Sequence, residues 1–326
     1  MTEPPKCTKT FKLNNGNSMP AVGLGSWQGR LGTDDEKALE ESIKHALQSG
    51  YRLIDTAQYY GIESVFGRAI RNSGVPRSDI TIVTKFWGNY HHDVAAALEK
   101  SLDTLGLGYI DMLLMHWPWA MTPDGKILRI HESPTFVETW KQMEKLVGDK
   151  CRGIGVCNFT QKTLSVLLEH ATIVPAVNQV ELHALNPGLK LVPFCRSKGI
   201  HVMGWGTLGG DSQVAKNHIL YNDIFKNIAE KNNTTTGTVS LSWAVQRGTT
   251  VIPKSSSKSR IISNIQLITL DDSDMATINQ AHEAIENHRI CNIHHRLWLE
   301  IDGKRTLHGW TEIDFGWEDE QGNWLT

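Results

Sequence analysis

The chain has 326 residues, with 33 Lys and Arg against 35 Asp and Glu and a formal net charge of -2. That balance excludes the basic field by which a protein holds nucleic acid or an anionic membrane surface, and the length suits one large core. Cys7, Cys151, Cys157, Cys195 and Cys291 are scattered with no Cys-x-x-Cys, which predicts free thiols in a reducing compartment and no metal. The start lacks the apolar stretch of a secretory signal, and no apolar run is long enough to span a bilayer, so the expected location is the cytoplasm.

Taken in chain order, Thr10–Leu13 and Ser18–Pro20 around Asn14-Asn15-Gly16 predict a small hairpin. Val22–Gly25 predicts an opening strand. Thr33 with Glu36 three residues on predicts a capping box, and Ala38, Leu39, Ile43, Ala46 and Leu47 then recur at helical spacing until Gly50. Strands follow at Tyr51–Asp55, Thr81–Lys85, Tyr109–Met115, Arg152–Val156, Ala176–Val180, His201–Trp205 and Thr250–Ile252. Between them helical patterns begin near Ser64, after a cap at Asp93, and over Phe136–Leu146, Thr163–His170, Lys190–Lys198 and Thr236–Gln246. This alternation, with eight strands in all, predicts an α/β fold: a closed (β/α)8 barrel of the TIM type, with the hairpin outside it and one domain over residues 1–326. Three connections exceed what a plain barrel needs: Trp119–Pro134, Gly206–His218 and Asn287–Thr326. The last carries Trp298, Trp310, Trp317 and Trp324, expected either to pack on the barrel wall or to line a substrate pocket.

Four ionisable residues stand out. Asp55, Tyr60, Lys85 and His116 fall at or just past the carboxyl ends of predicted strands, the end at which such barrels build their active sites. A tyrosine near a lysine, with a histidine close by and a carboxylate behind, is a constellation for donating a proton to a carbonyl oxygen. A free tyrosine, with a pKa near 10, is a reluctant acid at neutral pH; a neighbouring ammonium favours the phenolate and is expected to lower it. Taken singly, a strand-end lysine is commonly a surface charge and a Tyr59-Tyr60 pair commonly packing; the clustering is what gives these residues weight.

Seven segments carry a resemblance to the aldo-keto reductases: Gly23-Leu-Gly-Ser-Trp27, Asp55-Thr-Ala-Gln-Tyr-Tyr-Gly61, Thr84-Lys-Phe-Trp87, Leu114-Met-His-Trp-Pro118, Ile154-Gly-Val-Cys-Asn-Phe159, Val177-Asn-Gln-Val-Glu181 and Val251-Ile-Pro-Lys-Ser255. Within that family the chain looks most like the single-domain NADPH-dependent reductases of fungi and plants. The resemblance implies an extended NADPH or NADP+ bound without a Rossmann domain, in keeping with the lack of a GxGxxG between strand and helix. It implies that Asp55, Tyr60, Lys85 and His116 are the catalytic four, with Tyr60 the proton donor, Asp55 holding Lys85, and His116 orienting the substrate oxygen.

For the cofactor, the resemblance points to Gly25, Ser26 and Trp27 in the first loop, with Asp55 beneath. Cys157, Asn158 and Gln179 would lie at the carboxamide, and Trp205 against the nicotinamide. Gly206, Thr207, Leu208 and Gly209 would pass over the pyrophosphate. Lys254, Ser255, Ser256, Arg260 and Asn264 would hold the adenosine end, with Lys254 and Arg260 meeting a 2′-phosphate. Trp27, Tyr60, Trp87, His116 and Trp117 are expected to form the substrate pocket, favouring aldehydes or ketones with apolar bodies. The chain departs from the family pattern at Cys157 (usually serine), Trp205 (tyrosine), Gly206-Thr207 (Ser-Pro), Ser263 (glutamate) and Ile62 (asparagine). The expected function is NADPH-dependent reduction of a small-molecule carbonyl by a monomer. The alternatives are a nucleotide-binding barrel with a regulatory role, or an NADPH-barrel enzyme acting on a rearrangement or a conjugated double bond.

Overall fold

The computed structural model describes residues 5–28, 30–210, 212–285, 288–291, 298–321, 323 and 325. Strands β1 (Thr10–Lys12) and β2 (Ser18–Pro20) form the expected antiparallel hairpin. Then come α1 (Glu36–Gln48), β3 (Leu53–Asp55), α2 (Glu63–Arg71), β4 (Thr81–Phe86), α3 (Val94–Leu105), β5 (Met112–Met115), α4 (Phe136–Glu144), β6 (Ile154–Cys157), α5 (Gln161–His170), β7 (Val177–Glu181), α6 (Leu191–Ser197) and β8 (His201–Trp205). Helices α7 (Gln213–Ile219), α8 (Asp223–Lys231) and α9 (Thr236–Gln246) lead to β9 (Thr250–Val251), and α10 (Lys258–Ile265) and α11 (Asp272–Asn279) follow. The tail holds β10 (Trp298–Ile301), β11 (Lys304–Leu307) and α12 (Glu312–Phe315).

Seven parallel strands pair in the order β3 to β9. The eighth stave is Val22–Leu24, which is joined by single parallel bridges, Val22 to Val251 on β9 and Leu24 to Ile54 on β3, rather than by a regular ladder. The hydrogen bonds from Gly23 N to Val251 O (2.8 Å) and from Leu24 N to Leu53 O (2.9 Å) close the barrel. The expected eighth strand is therefore a stave without strand regularity.

Side-chain parity explains how this fold makes a site. Successive residues of a strand face opposite sides. Leu53, Val83, Met112, Leu114, Val177 and Met203 pack together inside the barrel, plugged from below by Leu13 and Met19 of the hairpin. Two residues further along the same inward faces stand Asp55, Lys85, His116, Gln179 and Trp205. The apolar floor thus sets the register of the polar layer above it. The outward faces pack on the helices in a second, larger core. At one close approach, a Cβ on Gly67 of α2 would lie 1.8 Å from Leu105 O, so only glycine lets α2 and α3 come this near.

Several expectations are corrected. The cap of α1 is Asp35, not Thr33: the Asp35 carboxylate accepts from Ala38 N at 2.8 Å, while Thr33 Oγ1 accepts only from Asp35 N, a turn earlier. Part of the long connection Gly206–His218 is helical, because Ser212 caps α7. The tail folds a hairpin, β10–β11, where only a loop was expected.

Candidate active site

The four residues converge. Lys85 Nζ donates to Asp55 Oδ1 at 2.7 Å and to Thr56 O at 2.9 Å, and the two charged side chains are 0% and 3% exposed. Gln179 Nε2 donates to the other Asp55 oxygen at 2.6 Å. Asp55 therefore accepts from both a cation and an amide. Burial works against both charges, raising the Asp55 carboxyl and opposing the Lys85 ammonium; at the lysine, Asp55 and the neighbouring groups together outweigh it and the lysine is held protonated. Lys85 Nζ lies 5.2 Å from the centre of the Tyr60 ring.

Tyr60 sits on the short helical turn Gln58–Tyr60, closed by Gly61 in a left-handed conformation (φ 69°). Its ring packs 5.1 Å from Trp27 and 5.7 Å, edge-on, from His116. The electrostatics differ from expectation in one respect. Burial among these rings pushes the Tyr60 phenol above its ordinary pKa; Lys85 pulls in the opposite direction without overcoming it. The lysine thus offsets the penalty of an apolar setting rather than making an acidic phenol.

Of the expected pocket residues, Trp87 stands 5.1 Å from His116. Tyr59 stacks on Trp87 at 3.7 Å and is part of the same ring cluster. Trp117 packs toward the tail, against Trp119, Phe315 and Trp317. Sequence reasoning misses two residues here. Trp119, fully buried, meets Trp87 edge-on at 4.9 Å, and His308 of the tail stacks on Trp119 at 4.3 Å and meets Trp87 at 6.1 Å. Burial lowers the His308 pKa to about 4, so this ring is neutral near neutral pH. No local signal pairs residues so far apart in the chain. Trp310 and Trp317 are buried against Phe315, so they pack as structural aromatics, and Trp298 is half-buried under the Arg305 guanidinium. Trp324 lies outside the described residues.

Asn158 takes a left-handed backbone (φ 63°), which turns its amide into the barrel. Its Nδ2 donates to His116 O at 3.0 Å, and its Oδ1 accepts from Trp205 Nε1 at 3.1 Å. The indole at position 205 therefore keeps a polar contact with Asn158 although it carries no hydroxyl. Cys157 is buried, with its thiol 3.3 Å from Asn158 Nδ2, and burial pushes its pKa up, so it stays a neutral thiol.

A cleft of about 390 Å³ is lined by Gly25, Ser26, Lys254, Ser255 and Ser256, together with residues of α1 such as Leu39 and its cap, Asp35. It lies to the side of the catalytic rings and does not include Tyr60 or His116. Five predicted cofactor residues meet there. Ser26 Oγ and Trp27 Nε1 are buried without a hydrogen-bond partner, and unsatisfied buried donors are a cost that a polar ligand would relieve. The cleft therefore suits a ligand that offers Ser26 a polar partner. Arg260 and Asn264 lie on α10, the first exposed and the second buried, outside the cleft lining. Gly206 and Gly209 both take positive φ in the turn after β8, with Thr207 buried and Leu208 half-buried between them.

Glu181, His183 and Cys291 form a buried group of metal-ligand type. Its hydrogen bonds point to another role. Asn186 N donates to His183 Nδ1 (3.1 Å), so the ring hydrogen is on Nε2, facing Glu181 Oε1 at 3.1 Å. Glu181 also accepts from Cys291 N (2.8 Å) and pairs with Arg289 (3.4 Å), whose guanidinium lies over Trp317. This is a clip that fastens the tail to the end of β7.

Barrel, buried Lys–Asp pair and aromatic mouth together make the carboxyl end of the strands the candidate active site of a barrel enzyme. Comparison with known proteins agrees. Residues 21–283 match the model of the aldo/keto reductase family. The chain is 41% identical to a D-galacturonate reductase of Hypocrea jecorina, over 83% of this chain and 89% of that protein. It is 39% identical to a glycerol 2-dehydrogenase (NADP(+)) of Saccharomyces cerevisiae, over 83% and 90%. A Bombyx mori aldo-keto reductase solved in complex with NADP superimposes with a TM-score of 0.76 at 32% identity, covering 86% of this chain and 94% of that one. The chain belongs to the aldo/keto reductase family, and it is an NADPH-dependent reductase of carbonyl groups.

Proposed function

We propose that Tyr60 donates the proton to the carbonyl oxygen, with Lys85 and Asp55 behind it and His116 orienting the substrate. The observation that carries this reading is the buried Lys85–Asp55 contact of 2.7 Å beneath a tyrosine whose ring faces Trp27 and His116. NADPH supplies the hydride; the chain supplies position, the proton and exclusion of water. Lys85, held charged by Asp55, stabilises the negative charge that Tyr60 acquires as its proton leaves. His116, edge-on to Tyr60 and to Trp87, is placed to donate to the same oxygen and so fix the carbonyl face. Trp27, Tyr59, Trp87 and Trp119 keep the site dry, which strengthens each of these interactions.

Asn158, Gln179 and Trp205 are the residues that would hold the nicotinamide end. Gly25, Ser26, Lys254, Ser255 and Ser256 would hold the phosphate and adenosine end, with Arg260 and Asn264 nearby on α10. The pocket's apolar walls favour an aldehyde or ketone with an apolar body. The names of the fungal relatives add hydroxylated carbonyls to the set worth assaying. The reading includes a cytoplasmic monomer; among the described residues no helix is long and apolar enough to cross a membrane.

The test is NADPH oxidation, followed by absorbance, against aldehydes, ketones, hydroxyaldehydes and enones. Turnover of carbonyls with no reduction of the conjugated double bond of an enone supports the reading. Activity confined to that double bond overturns it.

A further inference from the structure

Behind the active site, on the outer face of the same strands, lies a buried polar chain that carbonyl reduction does not itself require. Gln58 is two residues before Tyr60 on the turn that carries it. Its Nε2 donates to Ala97 O at 2.6 Å and to Ser101 Oγ at 2.9 Å, both on α3. Ser101 Oγ in turn donates to Glu63 Oε1 at 2.9 Å. The same carboxylate oxygen accepts from Thr84 Oγ1 at 2.7 Å, and Thr84 is the residue before Lys85. Thr84, Ser101 and Glu63 are 0%, 0% and 3% exposed.

Parity places Thr84 outward because Lys85 points inward. The donors run one way along the chain: Gln58 to Ser101 to Glu63, with Thr84 entering Glu63 from the other side. An apolar pair would bury as well here, and a lone buried carboxylate is costly; each hydroxyl would be stranded without Glu63 as acceptor. The chain therefore connects the turn holding Tyr60 to the strand holding Lys85 through one joint on α3.

We propose that Gln58, Ser101, Glu63 and Thr84 are positioning residues that fix the Tyr60 turn relative to Lys85, and so set the rate of proton donation. The proposal rests on the assignment of Tyr60 and Lys85 above. None of the four reaches the reacting atoms. Their effect is geometric: small misplacements of catalytic groups cost rate far more than binding.

The experiment uses the full-length enzyme with NADPH and with NADPH deuterated at the transferred position. Gln58→Leu breaks the chain at the turn, and Ser101→Ala breaks it at the joint. Each is expected to lower kcat about tenfold, to raise the deuterium isotope effect on kcat as the chemical step becomes limiting, and to leave the NADPH Kd unchanged. The double variant is expected to be no slower than the worse single one, because both act through one path. Glu63→Gln, whose amide oxygen accepts from both hydroxyls, is expected to keep most of the turnover that Glu63→Leu loses. A lower Tm with wild-type kcat per folded molecule and an unchanged isotope effect would reduce the chain to a structural role and overturn the proposal. So would losses that multiply in the double variant. Tyr60→Phe serves as the reference: if it is fully active, the reading of Tyr60 fails; if it is inactive while Gln58→Leu and Ser101→Ala are unaffected, the positioning proposal alone fails.

Discussion

At the scale of single residues, burial decides which groups carry charge. Lys85 is fully enclosed yet protonated, because Asp55 is in direct contact. Among the described residues no cation is in contact with Glu63, and Lys100 and Lys85 act on it only through their charge. Burial raises its pKa from 4.5 to about 7, with Thr84 and Ser101 as hydroxyl donors pulling it down. The raised value means the folded chain holds this proton more tightly than the unfolded chain does. Its stabilising contribution is complete below about pH 4.5 and is lost as pH rises through 7. Between pH 5 and pH 8 the wild type should lose about 2–3 kcal/mol relative to Glu63→Gln, because each tenfold difference in proton affinity between folded and unfolded chain is worth about 1.4 kcal/mol. Urea unfolding of both proteins at the two pH values measures the difference directly, since the other titrating groups are common to both. A constant difference across that range would mean that Glu63 is ionised throughout. Trp205 shows how a change of residue type is absorbed: the indole N–H reaches Asn158 Oδ1, so a ring lacking the usual hydroxyl still has a polar edge in the site.

At the scale of elements, the tail is the part least tied to the barrel's own repeat; Glu181 clips its start, and Thr160 and Lys162 donate to Phe315 O and Ile313 O further on. Glu181 accepts from Cys291 N, from His183 and from Arg289. Glu181→Gln removes the charge that faces Arg289 across the clip, and breaking a buried ion pair typically costs about 3–5 kcal/mol. The tail should loosen, and limited proteolysis should cut after residue 290 faster than in the wild type while the barrel stays intact. Equal cleavage rates would show that Trp310, Phe315 and Trp317 hold the tail without the clip. The catalytic ends of β3, β4 and β5 are legible in the sequence because each follows an apolar inward face at period two. The opening stave is legible as an apolar segment, but its pairing, reduced to two bridges, is a property of barrel closure. The β10–β11 hairpin does have a local signal. Asp302-Gly303, with φ 53° and 70°, is a two-residue turn between Trp-Leu-Glu-Ile and Lys-Arg-Thr-Leu. The stacking of His308 on Trp119 has none, since tertiary packing alone brings the tail to that loop.

At the scale of the whole molecule, two cores divide the labour. The inner one, from Leu13 to Ile252, sets the height of the polar layer; the outer one packs the strands against the helices. Chemistry then sits where the inner core stops. The central claim is that the barrel's mouth donates a proton through Tyr60. Single-turnover reduction of a good aldehyde by Tyr60→Phe, with NADPH binding followed by fluorescence on the same sample, tests it most directly. The substitution keeps the ring and its contacts with Trp27 and His116 but removes the proton. Turnover should fall by about 10²–10⁴-fold with the NADPH Kd unchanged, the range general acid catalysis supplies. Wild-type turnover in Tyr60→Phe would contradict the account.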